Sequence, residues 1–374
     1  MIQSNLLIAP LNWGLGHATR CIPLINSLLN RKENINIFIA SDGRALALLK
    51  KEFGHLLHFL ELPSYDIVYP KTGNMSAAMA RQTPKLLRAI YREYIATQKI
   101  VEQFNISGII SDNRYGCFSP RSYSVFITHQ FFLQMPPALR FLSPLINGIN
   151  GSLIRRFDAC WIPDYAHPSN NLSADLSHST KPHMANVQYI SPLSRLNHLS
   201  HNKGNMSLFM DKVYSIVVIL SGPEPQRSIF DEKITQQLLT QSAPSLIVQG
   251  ITEKQSFARL APHLDVVSYL TSAEIANIMS GADYIITRAG YSTLMDLCAL
   301  GKKAVLVPTP GQTEQEYLAQ ELCRKGLFYS VSQDKFQLTE ALAAIHLFSG
   351  ISNWKVNDYE AYLTDFLDKS RTFR

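Results

Sequence analysis

The chain has 374 residues, of which 46% are hydrophobic and 17% charged, and its formal net charge is +6. This composition supplies enough apolar side chains for a folded core and too little charge for an intrinsically disordered chain. The length predicts two domains, and no apolar run approaches the roughly 20 residues that a membrane-spanning helix needs.

The five cysteines are scattered and form no Cys-x-x-Cys pair, which argues against a disulfide scaffold, a zinc ribbon or a thioredoxin motif. Unpaired cysteines are typical of a reducing cytosol. No Lys or Arg precedes Arg20, and Pro10 and Asn12 interrupt the N-terminal apolar residues, so this stretch is a poor signal peptide. We therefore expect a cytoplasmic protein.

The first half of the chain alternates short apolar runs with amphipathic segments. Asn5–Ala9 predicts a buried strand that leads into a glycine turn, and a helix follows as far as Leu29. Strands that are continuous apolar runs and alternate with helices indicate a parallel sheet covered on both faces. Further strands of this kind are predicted at Ile35–Ala40, Ile106–Ser111 and Ser124–Thr128.

The second half repeats this alternation after a polar connection. Residues 164–207 are rich in Ser, Asn, His and Pro and predict loops, with one short strand at Val187–Ile190. We expect an N-terminal domain at 1–192, a C-terminal domain at 193–354, and a terminal helix within 355–374 that packs back on the first domain. The strands predicted for the second domain are Val213–Leu220, Ser245–Val248, Asp265–Ser268, Tyr284–Thr287 and Ala304–Val307.

The surplus of positive charge lies in residues 1–200, where 19 Lys and Arg stand against 11 Asp and Glu. Residues 76–104 predict a helix with an apolar face beside a basic stripe formed by Arg81, Lys85, Arg88, Arg92 and Lys99. A second apolar stretch, Phe131–Phe157, contains Arg155-Arg156. The pattern suits either a solvated helix over a core or docking on an anionic lipid surface. Basic and aromatic residues are not interleaved as a stacking platform, so nucleic acid is not an expected partner.

The glycine turn Gly14-Leu-Gly-His17 follows the first predicted strand and opens a helix, which suits an anionic ligand. The turn alone would allow a dinucleotide site with Asp42 as the ribose ligand, although Thr19 stands where that fingerprint has Gly or Ala. His17 is expected at the carboxyl edge of the sheet, either as a capping or solvated histidine or as a general base.

A second turn, Arg288-Ala-Gly290, joins a predicted strand to a helix that starts near Ser292. Ser292 or Thr293 can cap this helix, and its free N–H groups can hold an anion. Asp296, about one turn into the helix, can bind two hydroxyls of a ribose.

Two more polar turns follow strands of the same series. Ser221-Gly222, with Arg227 just beyond, predicts a phosphate site because a glycine turn and a guanidinium both suit an anion. The turn after the strand ending at Val307 suits either a polyhydroxylated ligand or a polar helix start, and its polar members are Gln312, Gln315 and Glu316.

These motifs together resemble those of the GT-B glycosyltransferases, in the branch that contains the N-acetylglucosaminyltransferase of lipid II synthesis. The resemblance is strongest over residues 270–326, where Arg288, Gly290, Thr293 and Asp296 match the family's donor motif without a gap. Asp296 replaces a glutamate of the family, and Glu316 replaces a second glutamine, so the donor sugar can differ. Residues 111–116 and 127–130 resemble an uncharacterised bacterial and archaeal offshoot.

The resemblance implies a GT-B α/β fold, with two Rossmann-like parallel-sheet domains facing a central cleft. It implies His17 as the catalytic base, a UDP-sugar as the substrate, and no cofactor. The chain contains no Asp-x-Asp motif, so no metal is expected. The implied donor-binding residues are Gly16, Arg195, Ser221, Gly222, Arg227, Leu270, Arg288, Gly290, Ser292, Thr293, Asp296, Gln312, Gln315 and Glu316. The acceptor-side candidates are Asn12, Asp112 and His129, of which the last two could equally be local caps.

We therefore expect an inverting, metal-independent glycosyltransferase that moves a hexose-type sugar from a UDP-sugar to a small or lipid-linked acceptor. The expected location is cytoplasmic, peripheral at the inner face of the cell membrane. A nonhydrolysing UDP-sugar 2-epimerase of the same fold is the nearest alternative. An NAD-dependent oxidoreductase and a non-catalytic nucleotide-sugar-binding protein also remain open.

Overall fold

The computed structural model describes residues 4–65, 75–135, 137–167, 169–178, 186–196, 212–251, 255–351 and 359–373. The chain divides into two compact units. Unit 1 comprises Met1–Leu193 with Val356–Arg374, and unit 2 comprises Ser194–Lys355. Both are α/β units built on mainly parallel sheets, which confirms the predicted fold class.

Unit 1 is built on a parallel sheet with the strand order β3-β2-β1-β4-β5-β6-β7. The strands are β1 (Ser4–Pro10), β2 (Ile35–Ser41), β3 (His58–Glu61), β4 (Gly108–Asp112), β5 (Tyr123–Ile127), β6 (Ala159–Ile162) and β7 (Val187–Tyr189). The helices between them are α1 (Gly16–Leu29), α2 (Gly43–Phe53), α3 (Met75–Phe104) and α4 (Ser143–Ile154).

Unit 2 has the strand order β10-β11-β9-β8-β12-β13-β14, in which β10 alone is antiparallel among the described strands. The strands are β8 (Ile216–Ile219), β9 (Ser245–Val248), β10 (Phe257–Ala261), β11 (Leu264–Val267), β12 (Tyr284–Thr287), β13 (Val305–Leu306) and β14 (Tyr329–Ser330). The helices are α5 (Gln226–Leu239), α6 (Ser272–Gly281), α7 (Tyr291–Leu300), α8 (Thr313–Arg324) and α9 (Leu338–Ala344).

The last helix, α10 (Glu360–Thr372), belongs to unit 1 although it follows unit 2 in the chain. Phe366 of this helix is fully buried, and its ring packs against those of Tyr123 and Trp161. A Cβ atom on Gly108 would lie only 2.7 Å from the Phe366 ring, so glycine at the start of β4 is what allows this close approach. Residues 352–358, where the sequence places the start of this helix, lie outside the described residues.

Candidate active site

Four polar side chains meet at the carboxyl end of the unit 1 sheet. Asp112 is the last residue of β4, and His129 follows β5. His17 lies in the first turn of α1, after a turn in which Gly14 has a φ of +82°, and Arg20 lies one helical turn later. Because β1, β4 and β5 are parallel neighbours, the segments that follow them emerge at one edge of the sheet.

The imidazole of His17 pairs with a buried carboxylate. His17 Nδ1 lies 2.7 Å from Asp112 Oδ1, and the His17 side chain keeps 13% of its surface exposed while Asp112 is fully buried. Nη2 of Arg20, which can only donate, also lies 2.9 Å from His17 Nδ1. The contact with Asp112, which can only accept when ionised, is the shorter one, and on that ground we assign the proton to Nδ1. The lone pair of neutral His17 is therefore on Nε2, which is the arrangement that a general base requires.

Arg20 organises this group and was not among the residues that sequence reasoning selected. Its guanidinium donates from Nε and Nη2 to both carboxylate oxygens of Asp112, and from Nη1 to His129 Nδ1 at 2.8 Å. Arginine has no acceptor, so Nδ1 of His129 accepts and the proton of neutral His129 is on Nε2. The i,i+3 spacing from His17 was the available signal, because such residues share one helix face.

The charges of this group are set by its burial and by Arg20. Burial raises the pKa of Asp112, but the attraction of Arg20 and His17 is stronger in sum and brings it down to about 2. Burial lowers the pKa of His17 below its ordinary value, and the attraction of Asp112 offsets this only in part. At neutral pH the pair therefore consists of an ionised carboxylate and an uncharged imidazole.

Asn12, an acceptor-side candidate, has a structural role in this unit. Its Nδ2 donates to Asp42 Oδ2 at 3.0 Å, and its Oδ1 accepts from the backbone N–H of Ala45 at 3.1 Å in the first turn of α2. Asp42 also forms an ion pair with the buried Arg114. Both oxygens of Asp42 are therefore engaged within the protein, and this geometry does not single out Asp42 as a ribose ligand.

In unit 2, the structure brings two predicted donor residues into contact. Asp296 is 7% exposed, accepts a hydrogen bond from Ser194 Oγ at 2.7 Å, and lies 3.4 Å from Nε of Arg195. Burial raises the pKa of Asp296, and the charge of Arg195 and the bond from Ser194 act against this. Both carboxylate oxygens of Asp296 are thus engaged within unit 2, Oδ1 by Ser194 and Oδ2 by Arg195.

The start of α7 differs from the prediction in its cap. Gly290 is the N-cap and the helix begins at Tyr291, so the prediction that Ser292 or Thr293 caps it was wrong. Both of these residues lie inside the first turn instead. Within the described part of the chain no side chain caps α7, and a helix start of this kind suits an anion.

The side chain of Arg288 is fully buried and forms hydrogen bonds to several turns around the site. It does not face solvent, where a ligand would bind. Its Nη atoms donate to the carbonyl oxygens of Val307 at 3.2 Å and Gln226 at 2.8 Å, and to Oε1 of Gln333 at 2.7 Å. The guanidinium also stacks over the ring of Phe230, and burial lowers the pKa of Arg288 to about 10. Arg288 therefore ties three turns together as a positioning residue, and Gln333 is a member of the site that no sequence motif indicated.

The polar turn after β13 is held by its own side chains. Oε1 of Gln315 accepts from the backbone N–H of Thr309 at 2.9 Å, and Nε2 of Gln315 donates to Oε1 of Gln312. Oε1 of Glu316 accepts from the backbone N–H of Gly311 at 2.8 Å. These three predicted donor residues therefore fix the shape of the turn.

The remaining predicted donor residues fall into two groups. Ser221 and Gly222 follow β8 in a turn where Gly222 has a φ of +104°. Arg227 forms ion pairs with Glu224 and Asp231, and the side chain of Leu270 is buried. In this structure Arg227 is thus held by acidic neighbours. Among the described residues no three His, Cys, Asp or Glu side chains lie close enough together to hold a metal ion.

One segment of unit 2 is similar to a known family. Residues 224–349 match the Glycosyltransferase family 28 C-terminal domain. The matched segment lies within unit 2. It contains Asp296, Arg288, Gly290 and the turn after β13, whereas Arg195 and the Ser221-Gly222 turn precede it.

Similar proteins extend the match beyond the family 28 domain. The chain is 21% identical over 323 residues to an uncharacterised glycosyltransferase of Methanosarcina acetivorans, covering 81% of this chain and 79% of that protein. Over 78 residues it is 35% identical to the UDP-N-acetylglucosamine–N-acetylmuramyl-(pentapeptide) pyrophosphoryl-undecaprenol N-acetylglucosamine transferase of Sorangium cellulosum. That match covers 20% of this chain and 17% of the relative.

Solved structures show that the fold is that of the GT-B glycosyltransferases. The glycosyltransferase SnogD from Streptomyces nogalater aligns with a TM-score of 0.61 at 12% identity, over 99% of this chain and 100% of that one. A Listeria monocytogenes protein described as a UDP-N-acetylglucosamine 2-epimerase aligns with a TM-score of 0.57 at 10% identity, over 99% and 96%. At these identities the likeness establishes the architecture and leaves the reaction to the site.

Proposed function

We propose that this protein is an inverting glycosyltransferase that moves a hexose-type sugar from a UDP-sugar to an acceptor hydroxyl without a metal ion. The family 28 domain supports glycosyl transfer as the general activity. The observation that carries the finer proposal is the His17–Asp112 pair, which supplies an oriented base in unit 1. The donor would be held by unit 2, where Asp296 and Arg195 lie together.

The proposed reaction is a single displacement at the anomeric carbon. Nε2 of His17 removes the proton of the acceptor hydroxyl while that oxygen attacks the anomeric carbon, and the bond from this carbon to the diphosphate oxygen breaks. UDP leaves with the bonding electron pair, and the configuration inverts. Asp112 stabilises the imidazolium that forms, and general base catalysis of this kind typically contributes about 10²–10⁴-fold in rate.

The leaving diphosphate would be stabilised by groups that the chain itself provides. The N–H groups at the start of α7 and the guanidinium of Arg195 are the nearest candidates. A hydrogen bond to a charged group contributes about 1.5–3 kcal/mol, so two or three of them supply much of the charge stabilisation that a metal gives in other transferases. The sequence contains no Asp-x-Asp motif that would bind such a metal.

Replacing Asp296 by alanine is expected to weaken UDP binding by about 10–100-fold, because a ribose would lose a charged hydrogen-bond acceptor. Calorimetric titration with UDP measures this. The matched control is Asp283→Ala, which removes an exposed carboxylate of the same unit. Circular dichroism shows whether both variants are folded, and equal UDP affinity of folded Asp296→Ala and wild type contradicts the assignment.

A nonhydrolysing UDP-sugar 2-epimerase remains the second candidate, since a protein described as such shares the fold. An epimerase acts on the donor alone and needs no acceptor. Incubation of the protein with UDP-N-acetylglucosamine, without an acceptor, separates the two: a change of configuration at C2 supports the epimerase and unchanged sugar supports the transferase.

We further propose that unit 1 docks on an anionic lipid surface. Along α3, Leu87 and Tyr91 are 52% and 66% exposed and Ile95 is also exposed, an apolar row at i,i+4 spacing. Four residues of the predicted basic stripe are exposed beside it, namely Lys85, Arg88, Arg92 and Lys99, and the side chain of Arg81 lies outside the described residues.

A second row of exposed apolar side chains lies on α4 and in the residues just before it. A hydrogen bond links α4 to a residue that packs beneath α3. Phe141, Leu145 and Ile149 are exposed, and α4 is followed by the exposed pair Arg155-Arg156. Tyr115 packs on the core beneath α3 and donates a hydrogen bond to Asn150 of α4 at 2.7 Å. No helix among the described residues is long and apolar enough to cross a bilayer, so the proposal is a peripheral contact.

The double substitution Arg88→Ala with Arg92→Ala should reduce the affinity for anionic vesicles about 30-fold. Each basic residue near such a surface contributes about 1 kcal/mol to the binding free energy, and two are removed. Sedimentation with vesicles of phosphatidylglycerol and phosphatidylcholine at low salt measures it. Lys50→Ala with Lys51→Ala on α2 is the matched control, because it removes the same charge from another helix. Failure of the wild type to bind these vesicles ends this proposal.

A further inference from the structure

The hydroxyl of Thr309 is a buried polar group that has no hydrogen-bond partner in the described part of the chain. Thr309 is 1% exposed, and its Oγ1 makes no hydrogen bond to any of the described residues. Its backbone, by contrast, is fixed on both sides: the N–H donates to Gln315 at 2.9 Å, and the carbonyl accepts from the N–H of Gln312 at 3.1 Å. The backbone of this turn is therefore fixed by hydrogen bonds, whereas the Thr309 hydroxyl makes none to the described residues. Buried hydroxyls are normally hydrogen-bonded.

The position of this hydroxyl points to the nucleotide site. A Cβ atom on Gly222 would lie 3.2 Å from Thr309 Oγ1, so the turn after β8 and the turn after β13 meet here. The strand between them in the sheet is β12, and α7 starts directly after it with Gly290 as the N-cap. A Cβ atom on Gly290 would have only Thr293 Oγ1 within 4 Å, at 3.9 Å, so the space at the helix start is open.

The electrostatics of this place favour an anion. The start of α7 carries the positive end of the helix dipole and has no side-chain cap among the described residues. Arg288, two residues before Gly290, is fully buried and contacts carbonyl and amide oxygens and an aromatic ring, none of which is negatively charged. A ligand oxygen that approaches Thr309 therefore meets a hydrogen-bond donor in a positive field.

We propose that Thr309 is a further donor-binding residue, whose hydroxyl donates a hydrogen bond to a phosphoryl oxygen of the nucleoside diphosphate. This inference rests on the proposed function, since it names a contact of the same donor site. The Ser221-Gly222 turn covers the hydroxyl in this structure, so the contact requires that turn to shift. Glycine suits this, because it changes backbone conformation most freely and has no Cβ, which would lie only 3.2 Å from Oγ1.

The test compares two nearly isosteric substitutions. Thr309→Val removes the hydroxyl and is expected to raise the Kd for UDP about 10–100-fold, the effect of one hydrogen bond to a charged group. Its Tm should stay equal to that of the wild type or rise, because no hydrogen bond within the protein is lost. Thr287→Val is the matched control, since the buried Thr287 hydroxyl donates to the carbonyl of Ile219 at 3.3 Å. That variant should lose Tm and keep its UDP affinity, and Thr309→Ser should bind UDP like the wild type.

The measurements are calorimetric titrations with UDP and with UDP-N-acetylglucosamine, competition with uridine, and thermal unfolding of each variant. The uridine affinity should be equal in wild type and Thr309→Val, because uridine has no phosphoryl oxygen. Unchanged UDP affinity of Thr309→Val overturns the inference, and so does a loss of affinity for the UDP-sugar alone, which would place the hydroxyl at the sugar. Either of these results for Thr309→Val overturns only the inference about Thr309 if the wild type binds UDP and Asp296→Ala does not. The proposed function is then still supported. If the wild type binds no nucleoside diphosphate, both are overturned.

Discussion

Substitution of His17 by alanine is expected to lower kcat by about 10²–10⁴-fold, the usual contribution of a positioned general base, while the Kd for UDP stays unchanged. In the proposed reaction His17 acts on the acceptor proton, whereas the nucleotide is bound by residues of unit 2. His55→Ala is the matched control, because His55 is exposed on the same unit and takes no part in the site. Equal turnover in the two variants would show that His17 is not the base.

The pH dependence of the wild type gives an independent check on the same residue. The pKa of His17 lies below its ordinary value because of burial, and only the neutral imidazole can accept the proton. Turnover should therefore persist below the pH at which an ordinary histidine becomes protonated, about 6.5, and then fall as the pH decreases further. This acid limb should be absent in His17→Ala.

Asp112→Asn is the second substitution with a large expected effect, and it should impair both stability and turnover. The variant leaves the buried Arg20 without its counter-charge, and breaking a buried ion pair in this way costs about 3–5 kcal/mol in the free energy of unfolding. It also removes the acceptor that fixes the proton of His17 on Nδ1, so kcat should fall. Urea unfolding and initial rates measure the two effects, with the exposed Asp283→Asn as the control.

Replacing both Asp112 and Arg20 by uncharged residues separates the effect on stability from the effect on turnover. Arg20→Gln combined with Asp112→Asn leaves no unpaired buried charge, so it should recover part of the lost stability while turnover stays low. A double variant with wild-type turnover would contradict the role assigned to Asp112.

The acid dependence of stability follows from the lowered pKa of Asp112. The folded pKa of about 2 lies below the ordinary value of 3.8, so this group stabilises the fold fully above pH 4. Its contribution is lost as the pH falls from about 4 toward 2. Asp112→Asn should lack this part of the decline.

The strands of both units were predictable where they are continuous apolar runs, as in β1, β9 and β12. Four strands were missed: β3, β6, β10 and β14. In β10, four of five residues are exposed, so no apolar run marks it, and β14 has only two residues. The strands β3, β10 and β14 lie at the edges of their sheets and form by pairing with a neighbour that a single sequence does not show. In contrast, β6 lies inside the sheet as a short, fully buried apolar run, and the prediction overlooked it.

In the site, too, the sequence predicted which residues lie near the strand ends but not how their side chains are directed. His17, Asp112 and His129 were found because each follows a predicted strand, and parallel strands end at one edge. Arg227 was predicted as a phosphate ligand and Arg288 as a donor-binding residue, since the sequence gives the residue type but not the direction of the side chain. Arg288 is instead buried among carbonyl oxygens, and Arg227 pairs with acidic neighbours on its own helix and the turn before it.

Calorimetric titration of the wild-type protein with UDP, GDP, dTDP and NADH tests the central claim most directly. The proposed function predicts that UDP binds and that NADH does not, because Asp296, Arg195 and the start of α7 are the proposed site for a ribose diphosphate. Binding of NADH alone, or of none of the four nucleotides, would contradict a UDP-sugar donor and leave only the fold in common with the glycosyltransferases.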